Sequence, residues 1–178
     1  ILTDLQRAVR RMTNDLGEKR GRPFYVAARV SATLETCRRI GFDIPTWVDE
    51  GLVDILIPSG MSDTDPSVDV QGFVDLCRDT GIAVYPGLDT QERFPGYGAD
   101  ARGPQGGPPT HLPRSAPASE DPYTKDKMLN RAMAARYHKD GADGIYVFNW
   151  YSDGETRWEL LNQIGSPETL RRMDKVFA

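Results

Sequence analysis

The chain has 178 residues, of which 39% are hydrophobic and 27% are charged, which is the composition of a globular domain with an apolar core. Its formal net charge is −4 and no basic run stands out, which argues against nucleic acid or an anionic membrane surface as a partner. No apolar stretch approaches the length of a membrane-spanning helix. The expectation is therefore a single domain, over 1–178, whose ligand is neither a polyanion nor a membrane.

Helix and strand signals alternate along the chain. Helices are predicted where apolar residues recur every three or four positions, and strands where short runs of β-branched and aliphatic residues occur. In chain order the pattern predicts an amphipathic helix ending near Gly17, a strand over 24–30, helices over 34–40 and from 47, a strand over 53–57, a helix over 70–77, a strand over 82–85, a helix from Pro122 capped by Asp121, a strand over 144–150, and helices around 160–164 and after Ser166.

Three predicted helix-to-strand junctions share an acidic residue followed by glycine, at Gly51, Gly81 and Gly141. A glycine there lets a helix end in a left-handed turn and lead directly into the next strand. The first two intervals between strand starts are about 29 residues, which is the spacing of a strand–helix repeat. Apolar strands alternating with helices predict an α/β fold with a parallel sheet covered by helices.

Four such units are too few for a complete barrel, which needs roughly 250 residues. The chain begins at Ile1 without an initiator methionine, so we expect half of a barrel from a longer chain. The insertion over 93–119 is rich in glycine and proline and follows the end of a strand. A long loop at that place is either a functional lid or a linker, and its composition fits both.

Four segments give the chain a family resemblance: 38–43, 47–54, 85–89 and 141–150. In this order they resemble the glycoside-hydrolase-like TIM-barrel proteins described as family-10-like, over nearly the whole chain except the insertion. The resemblance implies that the predicted strands are the fifth to eighth of a barrel. It also implies a sugar substrate, carboxylate chemistry and no cofactor. Proteins of this kind usually carry an important acidic residue at the end of the fourth strand, which this chain does not contain.

Candidate catalytic carboxylates follow the third predicted strand. Hydrolysis of a glycosidic bond generally needs two carboxyl groups that reach a shared cleft. Asp89 lies just past the end of the strand and is the first candidate, while Glu92 is a weaker one. The alternative for Asp89 is a turn aspartate whose side chain holds the backbone. We expect the second catalytic carboxylate to lie outside this chain.

Candidate substrate-binding residues lie at the ends of the other strands. Arg29 shares a strand face with Tyr25 and Ala27, and an arginine that points into a barrel mouth needs a partner. The arginine either contacts a catalytic carboxylate, which it would keep ionised, or forms an ion pair that has only a structural role. Ser59, at the end of the second strand, is a further candidate.

Asn149 and Trp150 end the last predicted strand, where an amide and an aromatic face suit a sugar. Alternation places Trp150 on one face with Tyr146 and Phe148, so the alternative is packing of that face against helices. His111, within the insertion, is included as a possible contact to substrate.

No metal site is predicted, because the two histidines, His111 and His138, lie far apart in the sequence. His138 is interpreted as a cation at the end of a helix. The aspartates at 63, 65 and 69 resemble a calcium loop only loosely and are interpreted as a solvated acidic loop. Cys37 and Cys77 each fall on the apolar face of a predicted helix and are expected to be buried free thiols, with a disulfide as the alternative.

The sequence thus predicts a glycoside hydrolase with a carbohydrate substrate, and the alternative is a non-catalytic carbohydrate-binding or scaffold barrel. A phosphate-handling barrel ranks third, because the acidic residues of the loop 150–155 would repel an anion. A half-barrel leaves two open sheet edges, which attract further strands. We therefore expect either the missing N-terminal half of the barrel or a homo-oligomer as the protein partner.

Overall fold

A computed structural model describes residues 1–60, 64–89, 122–148 and 155–175. The strands in these ranges are β1 (Ala27–Ser31), β2 (Ile55–Ser59), β3 (Ala83–Val84), β4 (Gly87–Asp89) and β5 (Tyr146–Phe148). The helices are α1 (Leu2–Arg20), α2 (Leu34–Arg39), α3 (Ile44–Asp49), α4 (Val70–Cys77), α5 (Pro122–Lys139), α6 (Glu155–Ile164) and α7 (Pro167–Arg171).

Every strand pairing in the described part of the chain is parallel. β2 lies between β1 and β3, and β4 pairs with β5. The longest pairing runs from Ala27 opposite Ile55 to Ser31 opposite Ser59. The predicted α/β class and the parallel strand direction are therefore confirmed. These short pairings do not show half of a TIM barrel.

β3 and β4 are consecutive parts of one extended segment, separated by Tyr85 and Pro86. The backbone N–H of Tyr85 donates to the Leu56 carbonyl of β2 at 2.8 Å, and that of Tyr146 in β5 donates to the Pro86 carbonyl at 3.1 Å. The segment thus bonds to β2 on one side and to the chain of β5 on the other, where Asp143 N–H also donates to the Val84 carbonyl at 3.0 Å. The strand predicted over 82–85 is observed over 83–84, and β4 was not predicted, because a proline interrupts the ladder without ending the extended chain.

α1 continues past its predicted end at Gly17 and ends at Arg20, where Gly21 adopts a left-handed conformation with φ of 69°. Gly17 is buried because the chain that follows the helix packs closely on it. A Cβ at this position would lie 3.3 Å from the carbonyl oxygen of Arg22. The glycine therefore marks a close approach inside the helix rather than a helix end.

α1 attaches to the rest of the molecule mainly through polar side chains. Gln6 Nε2 donates to the Leu52 carbonyl at 3.1 Å, and Arg10 Nη2 lies 2.9 Å from Asp54 Oδ2. The helix is amphipathic as predicted, but much of its apolar stripe does not face the core. The exposed members and their exposed fractions are Leu5 (61%), Met12 (54%) and Leu16 (41%).

Two apolar clusters form the core. The N-terminal cluster lies between β1, β2, β3 and the helices α2, α3 and α4, and it includes Val26, Val30, Cys37, Ile44, Trp47, Leu56, Phe73, Cys77 and Val84. The C-terminal cluster includes Val68, Val70, Leu88, Ala134, Tyr137, Leu160, Ile164 and Leu170. Val74 of α4 packs against both. One sheet face is thereby covered by helices, and Val26, Ala28 and Val30 at the first strand belong to this face.

The starts of two strands are held by carboxylates from the next strand along the sheet. Asp54 Oδ2 accepts a hydrogen bond from Val26 N–H at 2.6 Å, and Asp143 Oδ2 accepts one from Val84 N–H at 2.8 Å. The glycines at the three helix-to-strand junctions have positive φ values, 60° at Gly51, 77° at Gly81 and 96° at Gly141. These values confirm the predicted left-handed turns.

The remaining boundaries differ from the predictions by a few residues. The strands predicted over 24–30 and 53–57 are observed over 27–31 and 55–59, and α3 begins at Ile44 rather than near 47. The strand predicted over 144–150 begins at Tyr146, and its last two predicted residues lie outside the described ranges. The predicted cap at Ser166 is confirmed, since its hydroxyl accepts from Thr169 N–H at 3.3 Å. Asp121 and the insertion over 93–119 lie outside the described residues. Within the described ranges, no helix is both long and apolar enough to span a bilayer.

Candidate functional site

Side chains at the ends of three strands meet on one face of the sheet. Because the strands are parallel, their C-terminal ends lie at one edge, where sites form in parallel α/β proteins. Alternation and register place Arg29, Ser59, Gly87 and Phe148 on the face opposite to the N-terminal cluster. We call this surface the Arg29 face.

The Arg29 guanidinium is held by contacts to two other strands. Its Nε donates to Ser59 Oγ at 2.7 Å, and its Nη2 donates to the Gly60 carbonyl at 2.8 Å. Its central carbon also lies 3.9 Å from the centre of the Phe148 ring, which is within cation–π range. These contacts fix the plane of the guanidinium, which an isolated arginine at a sheet edge would not maintain. The structure thus brings together Arg29 and Ser59, two of the candidates named from the sequence.

Ser59 and Gly87 face each other across neighbouring strands. Ser59 is only 5% exposed. A Cβ on Gly87 would lie 2.6 Å from the Ser59 Cβ, so only glycine lets the two strands approach this closely. The sequence analysis missed Gly87, although its place after Tyr85-Pro86 was an available signal for an unusual strand position.

Phe148 was also missed as a site residue. One alternative assigned its strand face to packing against helices, and that alternative is wrong for Phe148, whose ring contacts Arg29. Val147 and Ile145, on the other face of β5, pack against the C-terminal cluster. The alternation of β5 was read correctly, but the sequence did not show which of its faces met the helices.

Asp89 ends β4 and is the register partner of Phe148. Its backbone therefore belongs to the same sheet edge as the Arg29 face. The side chain of Asp89 is outside what the structure describes, as are the predicted site residues Glu92, His111, Asn149 and Trp150. The structure brings together two of the seven predicted residues and gives the strand position of a third.

A cavity of about 480 Å³ lies at the opposite edge of the sheet, between α1 and the chain that enters β1. Its lining includes Arg10, Asn14, Arg22, Tyr25 and Asp54. Arg10 and Asp54 form an ion pair there, and Asp54 also holds the start of β1. These two residues therefore serve the attachment of α1 and β1, and the cavity is separated from the predicted site by the length of the strands.

The acidic loop before α4 has a structural role. Asp65 Oδ1 accepts from the backbone N–H and the hydroxyl of Ser67, and Asp69 Oδ1 accepts from Gly72 N–H at 3.0 Å as the cap of α4. Asp69 is exposed, as expected for a solvated loop, and Asp65 is half-buried, so the loop adds these hydrogen bonds to its solvated character, while Asp63 lies outside the described residues. Across the part of the chain that the structure describes, no cluster of three potential metal ligands occurs.

The remaining titratable candidates are one histidine and two cysteines, and all three have structural contacts. His138 Nε2 lies 2.8 Å from the Ile164 carbonyl, which ties the end of α5 to the end of α6. Cys37 and Cys77 are both free and buried, as predicted. Burial raises the pKa of the Cys37 thiol, and burial together with the charge of Asp143 raises the pKa of Cys77 to about 11. Neither thiol has the lowered pKa of a nucleophilic cysteine.

Comparison of the sequence with protein-family models and with curated proteins finds no match.

Proposed function

We propose that the protein is a glycoside hydrolase whose substrate binds over the Arg29 face, at the C-terminal ends of the strands of a half-barrel. The observation that carries the proposal is the fixed Arg29 guanidinium, which joins the ends of β1, β2 and β5. It makes this edge a charged, preorganised surface in the place where parallel α/β enzymes build their sites. The resemblance of the sequence to glycoside-hydrolase-like barrels supplies the substrate class.

In this proposal Asp89 supplies one of the two carboxyl groups that glycoside cleavage needs. A cation close to a carboxylate favours its ionised form, so a guanidinium at this edge suits a nucleophile or general base better than a proton donor. The second carboxyl group would come from Glu92 or from outside this chain. Phe148 lies beneath the guanidinium, while Asn149 and Trp150 follow it and would contact the sugar ring and its hydroxyl groups.

The alternative is a non-catalytic carbohydrate-binding or scaffold barrel. The contacts of Arg29 with Ser59 and Gly60 favour it, because both lie within the fold and would hold neighbouring strand ends together without any chemistry. The two proposals differ in one requirement. Only the hydrolase needs the carboxyl group of Asp89.

Turnover of a panel of aryl glycosides by the full-length protein tests the proposal. Asp89→Asn is expected to lower turnover by roughly 10²–10⁴-fold, the usual contribution of a positioned carboxyl group. Asp79→Asn is the matched control, because Asp79 precedes β3 at the opposite edge and asparagine tolerates its positive φ of 62°. It is expected to keep full turnover. Equal activity of the Asp89→Asn variant and the unmodified protein would remove Asp89 from the mechanism.

Measurement of oligosaccharide binding distinguishes the hydrolase from the non-catalytic carbohydrate-binding barrel. A protein that binds oligosaccharide equally well with and without the Asp89→Asn substitution, and cleaves none of the panel, would be a carbohydrate-binding barrel. Phe148→Leu should weaken binding in both cases, because it removes the ring that holds the Arg29 guanidinium in place while keeping an apolar side chain.

A further inference from the structure

We propose that a cavity between the C-terminal part of α5 and α7 binds a small molecule that carries a phosphate group. The cavity has a volume of about 360 Å³, which is within the usual range for small-ligand sites. Its lining comes from the end of α5, from α7 and from the segment after α7. It shares no residue with the Arg29 face, so the inference goes beyond the proposed function and does not depend on it.

The ionisable side chains that line this cavity are all basic. They are His138, Lys139, Arg171 and Lys175, and no acidic residue is among the lining residues. The chain as a whole has a formal net charge of −4, so the cavity is a locally basic region of an acidic protein. A concave site lined by charges of one sign attracts ligands of the opposite charge. The cavity is therefore suited to an anion.

Two of the basic side chains are fixed in place by backbone carbonyl groups. Lys175 Nζ donates to the Met173 carbonyl at 2.7 Å and also to the Leu170 carbonyl. His138 Nε2 lies 2.8 Å from the Ile164 carbonyl. An ammonium group has three donors, so one donor of Lys175 remains after these two bonds. A carbonyl oxygen carries no full negative charge, so the positive charge of Lys175 is held in position without being neutralised.

The other two basic side chains, those of Lys139 and Arg171, are exposed at the rim of the cavity. With the described residues they form neither a hydrogen bond nor an ion pair. Both lie in the last turn of a helix, where a cation interacts favourably with the helix dipole. That interaction does not require the two helix ends to meet at one cavity. A guanidinium presents paired donors that match phosphate oxygens, and a lysine adds a point charge.

The neighbouring chain does not supply the anion. The acidic residues adjacent to these basic residues in the sequence are Asp140, Glu168 and Asp174, and none of them lines the cavity. Asp140 is paired with Arg136 at 3.2 Å. Residues 176–178 have no acidic side chain. We therefore expect the compensating charge to come from a ligand.

The apolar part of the lining indicates the rest of the ligand. Leu170, which is 1% exposed, lines the cavity together with Ala135 and Pro167. A volume of 360 Å³ corresponds to roughly twelve water molecules, which is more than a phosphate ion occupies. The remaining space lies against apolar side chains. A phosphate ester of a small apolar or ring-shaped group therefore fits better than inorganic phosphate alone.

Titration of the protein with inorganic phosphate, phenyl phosphate and phenol, followed by the NMR signals of the backbone amides, tests the inference. Phosphate is expected to shift the signals of residues 138–139 and 170–171 saturably, with a Kd in the millimolar range. Sodium chloride at the same ionic strength should not. Phenyl phosphate should bind about 10-fold more tightly, because its ring covers apolar surface. The inference would be overturned by the absence of saturable shifts with phosphate, by equal shifts with chloride, or by phenol binding as tightly as phenyl phosphate.

Substitutions at the rim test which side chains bind the anion. Arg171→Gln and Lys139→Gln should each weaken phenyl phosphate binding about 5-fold, because each removes one charged donor at a partly exposed site. Both residues are exposed, so the fold should be kept, and the same spectra report it. Arg172→Gln is the matched control, since Arg172 is the exposed neighbour of Arg171 and does not line the cavity. Unchanged affinity in both rim variants would refute the site. The aryl glycoside assay of Asp89 does not depend on these outcomes, so the two proposals can fail separately.

Discussion

Cys37 and Cys77 lie in the N-terminal cluster, with 0% and 6% of their surface exposed. Cys37 lies on the apolar face of α2 and Cys77 on that of α4, and both pack against the sheet. A thiolate in such surroundings would lose its hydration, and the resulting penalty is what raises the pKa of both thiols. The charge of Asp143 adds to this effect at Cys77.

The native thiols are therefore expected to react slowly with an aromatic disulfide reagent at pH 8. The pKa of Cys77 is raised from 9.0 to about 11, so its thiolate fraction at pH 8 falls by roughly 100-fold, in addition to the loss of access. In the unfolded chain both thiols should react at once and release two equivalents of the reagent's aromatic thiolate per chain. Because the raised pKa belongs to the folded state, this contribution to stability is complete below pH 9 and is lost as the pH rises to about 11. Rapid reaction of either thiol in the native protein would contradict this description.

Single residues of the site were predictable to different degrees. The face of Arg29 and its need for a partner followed from alternation in β1, whereas its contact with Ser59 did not, because it depends on the register between β1 and β2. The stacking of Phe148 on Arg29 did not, because it depends on the order of strands in the sheet, which a local pattern does not contain. The same holds for Gly87, whose closeness to Ser59 arises only after β4 packs beside β2.

At the scale of elements, α4 shows how a short helix is fixed by its first turn. The Asp69 carboxylate accepts a hydrogen bond from Gly72 N–H at 3.0 Å. There is no room for a side chain at Gly72, since a Cβ would lie 2.3 Å from the Asp69 carboxylate. Asp69 N–H also donates to the Ala32 carbonyl at 2.9 Å, so the cap joins α4 to the segment after β1.

Removal of this cap is expected to lower the free energy of unfolding. Asp69→Ala should cost about 1 kcal/mol, the usual value for loss of a capping side chain. Asp69→Asn keeps an oxygen acceptor at the same place and should cost only a few tenths of a kcal/mol. Urea unfolding followed by circular dichroism measures both. Equal losses for the two variants would mean that the charge of Asp69, rather than its hydrogen bond, stabilises α4.

The kinds of element and their order were predictable, and their ends were not. Apolar spacing identified the helices, and both the cap at Ser166 and the start of α5 at Pro122 were visible in the sequence. The end of α1 was misplaced because a glycine often ends a helix. Gly17 instead lies inside the helix, where the chain at Arg22 packs closely against it. β4 was missed because Pro86 resembles a strand end, whereas the extended chain continues beyond it.

At the scale of the whole molecule, α1 is fastened by charges on its surface. Arg7 donates to both carboxylate oxygens of Glu50, at 2.7 and 2.5 Å, and so links α1 to the end of α3. The hydrogen bond from Arg7 holds the pKa of Glu50 below its usual range. Asp4, which also contacts Arg7, has a lowered pKa because of its hydrogen bonds to the N-terminal amine and to Arg7.

Acid is therefore expected to loosen α1. The lowered pKa of Glu50 means that its contribution to stability is present above the unfolded value near 4.5 and is lost as the pH falls through the folded value. Glu50→Gln should reduce stability at pH 7 and flatten its decline between about pH 5 and pH 3. Glu18→Gln, an exposed change on α1, serves as the control. Thermal unfolding at several pH values measures the difference, and parallel declines in all three proteins would show that the ion pair contributes nothing.

The fold class followed from the sequence because strand–helix alternation and apolar strands permit few arrangements. Whether the sheet curves into half of a barrel did not follow, since curvature depends on packing between elements far apart in the chain.

The carboxylates that hold the strand starts have a consequence for synthesis on the ribosome. Val26 N–H is bonded by Asp54, and Val84 N–H is bonded by Asp143, so each strand is completed by a residue that is translated 28 or 59 positions later. A nascent chain that has emerged only as far as β1 lacks the group that fixes its first amide. Each unit thus matures only after its successor leaves the exit tunnel.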